Sequence, residues 1–267
     1  MLHVRPLVVG LLAVAVLGLT AASASASVPH SVLYTSTAPG VGNIPSVGVE
    51  AYSFNQIGDE VILRRVARLK SVAVQLSSWA CQSGAWNTGD CVTTPGATFS
   101  TPITLNIYKA SSVDPNTGVR TPGPLLATVT RTFSIPYRPS ASSHCSSGAW
   151  FKNGQGCFNG LAHTIGFTLT GLKTKLPRDV VWGVSYNSNT SGPEPLGVPS
   201  PTDSLNVGLA PKVRAGQQRY PSGLFWDTRV DSFSCGSPFV PGDFNLDNAG
   251  GDCWTGLVPA VQFNATS

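Results

Sequence analysis

The sequence predicts an all-β protein, an antiparallel β-sandwich with three disulfide-closed loops. Three observations lead there. Apolar and polar residues alternate with a period of two along most of the chain. Clusters of turn-forming residues separate the alternating runs, and the six cysteines fall into three close pairs. Charged residues make up only 11% of the chain while Gly and Pro are abundant, a profile that disfavours long surface helices.

The N-terminus comes first. A basic residue at Arg5, an apolar run over residues 7–19 and the small-residue stretch Ala21-Ala22-Ser23-Ala24-Ser25-Ala26 have the layout of a secretory signal peptide. Cleavage is expected after Ala26, with Ala24 as the second choice, so residues 1–26 are read as the leader. The apolar run, about 13 residues, falls short of the roughly 20 needed to span a bilayer. No cysteine follows it to carry a lipid, and the C-terminal residues 258–267 hold neither an apolar span nor a basic stop signal. The mature chain is therefore expected to be secreted, with no membrane anchor. Residues 27–267 are read as one sandwich domain, although length alone also allows two small ones.

Along the mature chain the strands announce themselves in turn. Val72, Val74 and Leu76 alternate with Ala73 and Gln75, and Ile103, Leu105 and Ile107 alternate with Thr104 and Asn106. Residues 125–135 form a longer strand or a bent pair. The same alternation holds for Leu161, His163, Ile165, Phe167 and Leu169, for Val180, Trp182, Val184 and Tyr186, for Leu205, Val207 and Leu209, and for Leu257 with Val261 and Phe263. Asp114-Pro115-Asn116-Thr117-Gly118, Pro122-Gly123-Pro124 and Pro241-Gly242-Asp243 read as turns. Residues 61–70 are the one stretch with helical potential. They are read as a strand, because Gly58-Asp59 and Lys70-Ser71 would confine a helix to about two and a half turns.

The cysteines pair by proximity as Cys81 with Cys91, Cys145 with Cys157, and Cys235 with Cys253, out of the roughly 15 connectivities open to six. Short loops of this kind gain about 2 to 3 kcal/mol each from closure. Zinc is the competing reading, disfavoured because no pair has knuckle spacing and no histidine clusters with them. One internal echo stands out: Cys81-Gln82-Ser83-Gly84-Ala85-Trp86 recurs as Cys145-Ser146-Ser147-Gly148-Ala149-Trp150. Either the tryptophans cover their disulfides, or Trp86 and Trp150 are stacking platforms for a sugar ring at one end of the sandwich.

The stretch from Gly58-Asp59-Glu60-Val61-Ile62-Leu63 through Arg68-Leu69-Lys70-Ser71-Val72-Ala73-Val74-Gln75-Leu76-Ser77-Ser78-Trp79 resembles a group of uncharacterised secreted bacterial β-sandwich proteins. Ile103-Thr104-Leu105-Asn106-Ile107-Tyr108, Phe167-Thr168-Leu169 and Val181-Trp182-Gly183-Val184-Ser185-Tyr186-Asn187 belong to the same likeness. It covers most of the mature chain and rests on strand patterns, without a catalytic signature. It implies a jelly-roll-like sandwich and transfers no activity to any residue.

Catalytic chemistry finds little footing. The mature chain holds only His30, His144 and His163, lacks a Gly-x-Ser-x-Gly elbow, and has its cysteines committed to disulfides. His163 lies on the apolar side of its strand and is expected to be a hydrogen-bonded core residue, and His144 a surface one. Glutamates are limited to Glu50, Glu60 and Glu194. Asp59 and Glu60 are neighbours on a strand, so they point to opposite faces and cannot flank a glycosidic bond. The metal candidate is a calcium loop of Asp243, Asn245, Asp247 and Asp252, set against a plain polar turn inside the third disulfide loop. Its match to an EF-hand is poor, with no Gly at the sixth position and Trp254 in place of the bidentate Glu. Arg64, Arg65, Arg68 and Lys70 form a basic group with two readings, attraction of a polyanion or, preferred, one solvated strand face; no aromatic is interleaved to stack on bases, and no nucleic acid partner is expected. Asn189-Thr190-Ser191 and Asn264-Ala265-Thr266 fit the glycosylation acceptor pattern.

These readings favour a non-catalytic extracellular binding or interaction module with carbohydrate as the leading ligand class. A structural extracellular protein without a ligand comes second, and a secreted hydrolase third.

Overall fold

The computed structural model describes residues 29–38, 42–49, 55–113, 120–169, 171, 175–188, 201, 204–220, 224–226, 244–246 and 256–266. These form sixteen strands: β1 (Val32–Thr35), β2 (Ser46–Gly48), β3 (Gln56–Ile62), β4 (Leu69–Ser78), β5 (Thr98–Val113), β6 (Arg120–Pro136), β7 (Trp150–Lys152), β8 (Gly156–Phe158), β9 (Leu161–Thr168), β10 (Asp179–Ser185), β11 (Leu205–Ala210), β12 (Gln217–Gln218), β13 (Leu224–Trp226), β14 (Phe244–Leu246), β15 (Val258–Pro259) and β16 (Val261–Ala265).

Two antiparallel sheets stack face to face. In the first, β4 pairs along one edge with β9 and along the other with β16 and then β11; β1 flanks β16, and β2 and β15 flank β11. The second runs β14-β13-β3-β10-β5-β6, with β12 beside β13 on the edge of β3. The chain crosses between sheets from β3 to β4, back to β5, over again to β9, and back to β10, which is the wrapping of a jelly roll. A small hairpin, β7 with β8, stands apart from both sheets.

The period-two pattern explains the packing. Val72, Val74 and Leu76 of β4 and Ile165 and Phe167 of β9 face Ile103, Leu105 and Ile107 of β5 and Val180, Trp182 and Val184 of β10, all buried in one apolar cluster. Aromatic edges close the space between the sheets: Phe263 meets Tyr34 and Trp182 at 6.3 Å in each case, and Phe133 meets Phe167 at 5.1 Å. Trp182 and Phe263 have no exposed surface.

Two expectations are corrected. Residues 61–70 are not one strand: β3 ends at Ile62, β4 begins at Leu69, and the residues between carry the chain from one sheet to the other, held by a bridge from Ala67 to Leu176. Pro122-Gly123-Pro124 is not a turn but lies inside β6, where the register with β5 slips between Tyr108↔Leu125 and Ala110↔Pro122. A bulge accommodates the prolines that a regular ladder would reject. There Gly123 passes so close that a Cβ would lie 2.4 Å from the Lys109 carbonyl oxygen. The turns at 114–118 and 241–243 lie outside the described residues, as does residue 1–26.

Two disulfides are formed, Cys81–Cys91 and Cys145–Cys157, each closing its own loop as proximity suggested. Cys235 and Cys253 lie outside the described residues.

Candidate functional site

Both disulfide loops sit at the end of the sandwich where β4 finishes and β9 begins. The echoed motifs share a left-handed glycine, Gly84 and Gly148 having φ of 77° and 72°, but differ just before it, where Ser147 is left-handed at 54° and Ser83 is not. The loops also touch, since a Cβ on Gly148 would lie 2.8 Å from both the Trp86 carbonyl oxygen and the Gly89 nitrogen. Between them lies Arg138, fully buried, whose guanidinium donates to the Trp86 carbonyl at 3.1 Å, to the Pro139 carbonyl at 3.3 Å and to the Gly148 carbonyl. One side chain thus ties the first loop to the second through their main-chain oxygens. Within the first loop Asp90 accepts from the Ala85 amide at 2.9 Å and from the Thr88 hydroxyl, and these bonds hold its carboxyl below the usual range.

The two motif tryptophans have different fates. Trp150 is only 4% exposed, donates its indole N–H to the Gly160 carbonyl at 2.8 Å and packs on Phe158 at 5.3 Å. Neither of its ring faces is open to a sugar, and its place is beneath its loop. Trp86 is half-buried and meets Trp79 edge to face at 4.7 Å. Trp79, just past β4, donates to Ser77 Oγ at 3.0 Å, and Ser77 in turn donates to Asn43 Oδ1 at 2.7 Å. Gly160 is the joint of this arrangement. A Cβ there would lie 2.3 Å from Ser77 Oγ and 2.4 Å from Trp79 Nε1, so only glycine leaves room for the indole.

Beside these rings runs a groove of about 370 Å³ lined by Trp79, Phe158, Asn43, Asn159, Ser46 and Pro45, among others. Phe158 roofs Gly42, where a Cβ would come within 2.5 Å of the ring. The Gly42 amide is held by Gln155 Oε1 at 2.9 Å and its carbonyl by the Ala162 amide at 3.1 Å. Half-buried aromatic surface flanked by two amide side chains and a hydroxyl is the composition of a small polar-ligand site. Reading the sequence for the repeat singled out Trp86 and Trp150 and passed over Trp79, Phe158 and Asn43. The signal for Trp79 was its position at the end of a strand next to the first loop.

The other candidates fall elsewhere. Asp59 and Glu60 project from opposite faces of β3 and are both fully buried. Asp59 lies on the core side, accepts from Gln218 Nε2, and is linked through Gln218 to the Tyr34 hydroxyl at 2.7 Å; Glu60 approaches Arg219 at 3.7 Å. Neither is open to a substrate. His163 is half-buried opposite Leu76 and makes no hydrogen bond to the described residues, so it is not the bonded core histidine expected; burial lowers its pKa. His144 is exposed, with its ring 5.4 Å from that of Phe151. Of the calcium candidates, Asp243, Asp247 and Asp252 lie outside the described residues, and Asn245 lies in β14. Among the described residues no group of three or more His, Cys, Asp or Glu side chains could hold a metal.

No protein-family model matches the chain, and no curated protein or solved structure matches it at a significant level.

Proposed function

We propose that the protein is an extracellular binding module that takes a carbohydrate on the aromatic rim formed by Trp79, Trp86 and Phe158. The observation that carries this reading is the groove itself, where apolar ring surface and the amides of Asn43 and Asn159 line one concave strip. Sugar rings offer both an apolar C–H face for stacking and hydroxyls for amides to bind, so this pairing suits them better than it suits a purely apolar ligand. Two disulfides and the Arg138 tie support the reading by fixing the loops before a ligand arrives, which lowers the entropy lost on binding. The disulfides also fit an oxidising compartment, in keeping with the expected export. Trp150 then serves as the foundation under Phe158 and not as a platform.

A glycan array tests this, with the purified chain compared against Trp79→Ala, Trp86→Ala and Trp150→Ala. Loss of binding in the first two, with the third affecting chiefly stability, is the expected pattern. Absence of binding to any glycan, or binding indifferent to Trp79 and Trp86, would favour the structural protein without a ligand.

A further inference from the structure

A second site lies at the opposite end of the sandwich. Of its ten residues, β4 carries Leu69 at one end and Ser78 next to Trp79 at the other, so the two ends stand about 30 Å apart. At the Leu69 end an open cavity of about 770 Å³ is lined by His30, Ser31, Arg65, Arg68, Lys175 and Thr266 together with Val66 and Ala67. Three permanent cations and a histidine surround it, with no carboxylate side chain among the described residues of the lining. Arg65 Nε is buried there without a hydrogen-bond partner, although burying an unpaired guanidinium nitrogen is costly. The walls are fixed by main-chain bonds: the Leu176 amide to the Ala67 carbonyl at 2.9 Å, the Thr266 amide to the Arg68 carbonyl at 3.0 Å, and the Ala265 amide to the Ser31 carbonyl at 2.8 Å. Sequence separates Lys175 from Arg68 by 107 positions, and the Ala67–Leu176 bridge brings them to one cavity.

We infer that this cavity binds the anionic groups of an acidic polysaccharide. Guanidinium and ammonium groups with flanking hydroxyls are the donors that carboxylate and sulfate oxygens require. The volume lies in the range of about 300–1,000 Å³ that holds a multi-ring ligand and exceeds the needs of a lone anion. Among the described residues the lining contains no aromatic ring beyond the His30 imidazole on which nucleobases could stack, which favours a sugar polymer over a nucleic acid. Arg64, next to Arg65 in sequence, and Arg178 line a second cavity of about 370 Å³. This site shares no residue with the aromatic rim and does not depend on it.

The test uses the full mature chain with dextran sulfate, uncharged dextran, a single-stranded oligonucleotide and inorganic phosphate as probes, followed by calorimetry. Dextran sulfate is expected to bind and dextran not to. The exposed pair Arg68→Ser with Lys175→Ser is expected to weaken dextran sulfate about tenfold or more, whereas Lys109→Ser with Arg131→Ser, the same charge removed from the β5–β6 face, leaves it within about twofold. Trp86→Ala leaves it unchanged, so the two sites fail or succeed separately. Raising salt from about 0.05 M to about 0.5 M shortens the screening length from about 14 Å to about 4 Å and is expected to weaken the complex. The inference is overturned if the two double variants behave alike, if salt has no effect, if the oligonucleotide binds as tightly with the same dependence on Arg68 and Lys175, or if phosphate alone binds as tightly as the polymer. Thermal unfolding of each variant confirms that the fold is retained.

Discussion

Replacing Asp59 by Asn should flatten the dependence of stability on pH. Asp59 has no exposed surface, sits opposite Trp182 in the ladder between β3 and β10, and has one carboxylate oxygen, Oδ1, without a hydrogen-bond partner. Burial raises its pKa well above the ordinary 3.8; the bonds from Gln218 and from the Glu60 backbone oppose this without prevailing, and the Glu60 charge adds a smaller push upward. Above pH 3.8 the unfolded chain has released this proton while the folded chain still holds it, so rising pH favours unfolding. The stability tied to the neutral acid is complete below the unfolded value and is lost as pH climbs through the folded one. Within that window each pH unit costs about 1.4 kcal/mol. The Asp59→Asn side chain keeps an acceptor for Gln218 and does not titrate, so the gap between variant and parent should widen by that amount per unit. Urea denaturation followed by tryptophan fluorescence, at steps from about pH 4.5 to about pH 6.5, measures it directly. Parallel curves for the two proteins would mean that Asp59 ionises as freely inside the sandwich as in the unfolded chain, and the argument from burial would fail.

Three further outcomes concern the loop end. Gly160→Ala puts a methyl group 2.3 Å from Ser77 Oγ and 2.4 Å from Trp79 Nε1, and should cost about 1–3 kcal/mol in denaturant titration while shifting the Trp79 emission. Arg138→Leu removes the donors shared by the Trp86 and Gly148 carbonyls and should lower stability by about 2–4 kcal/mol; an unchanged midpoint would show that the tie contributes nothing. Cys81→Ser with Cys91→Ser opens a loop of sequence separation 10, which predicts a loss of about 2.5–3 kcal/mol from chain entropy, measurable as a lower urea midpoint.

Much of the fold was legible because the long strands place apolar side chains at alternate positions, toward the space between the sheets. The alternation at Val72, Val74 and Leu76 and at Val180, Trp182 and Val184 located β4 and β10, and Cys81 and Cys145 found their partners by proximity. What escaped notice has a physical reason in each case. β1 reads as four buried residues in a row, because both of its faces are covered, and gives no alternation. Residues 63–68 mix apolar and basic side chains as a strand does, yet their task is to change sheets, which depends on the distant bridge to Leu176. The candidate groove joins Asn43, Trp79 and Phe158 from three separate segments, and only their pairing brings them together. Arg138 gave no hint at all: a lone arginine between Tyr137 and Pro139 looks like a surface residue until the two loops close around it.

The position of β16 has a consequence for how the molecule comes into being. Val261–Ala265 is inserted between β1, near the start of the described chain, and β4, and its Val261 and Phe263 have no exposed surface. Until those residues emerge from synthesis, β1 has no neighbour on that side and one edge of β4 stays bare along most of its length. The first sheet cannot be completed until β16 is present, and folding is slowed by closure of the long loop between β1 and β16. An agent that recognises bare strand edges would therefore find its opportunity before β16 arrives, and lose it once β16 docks.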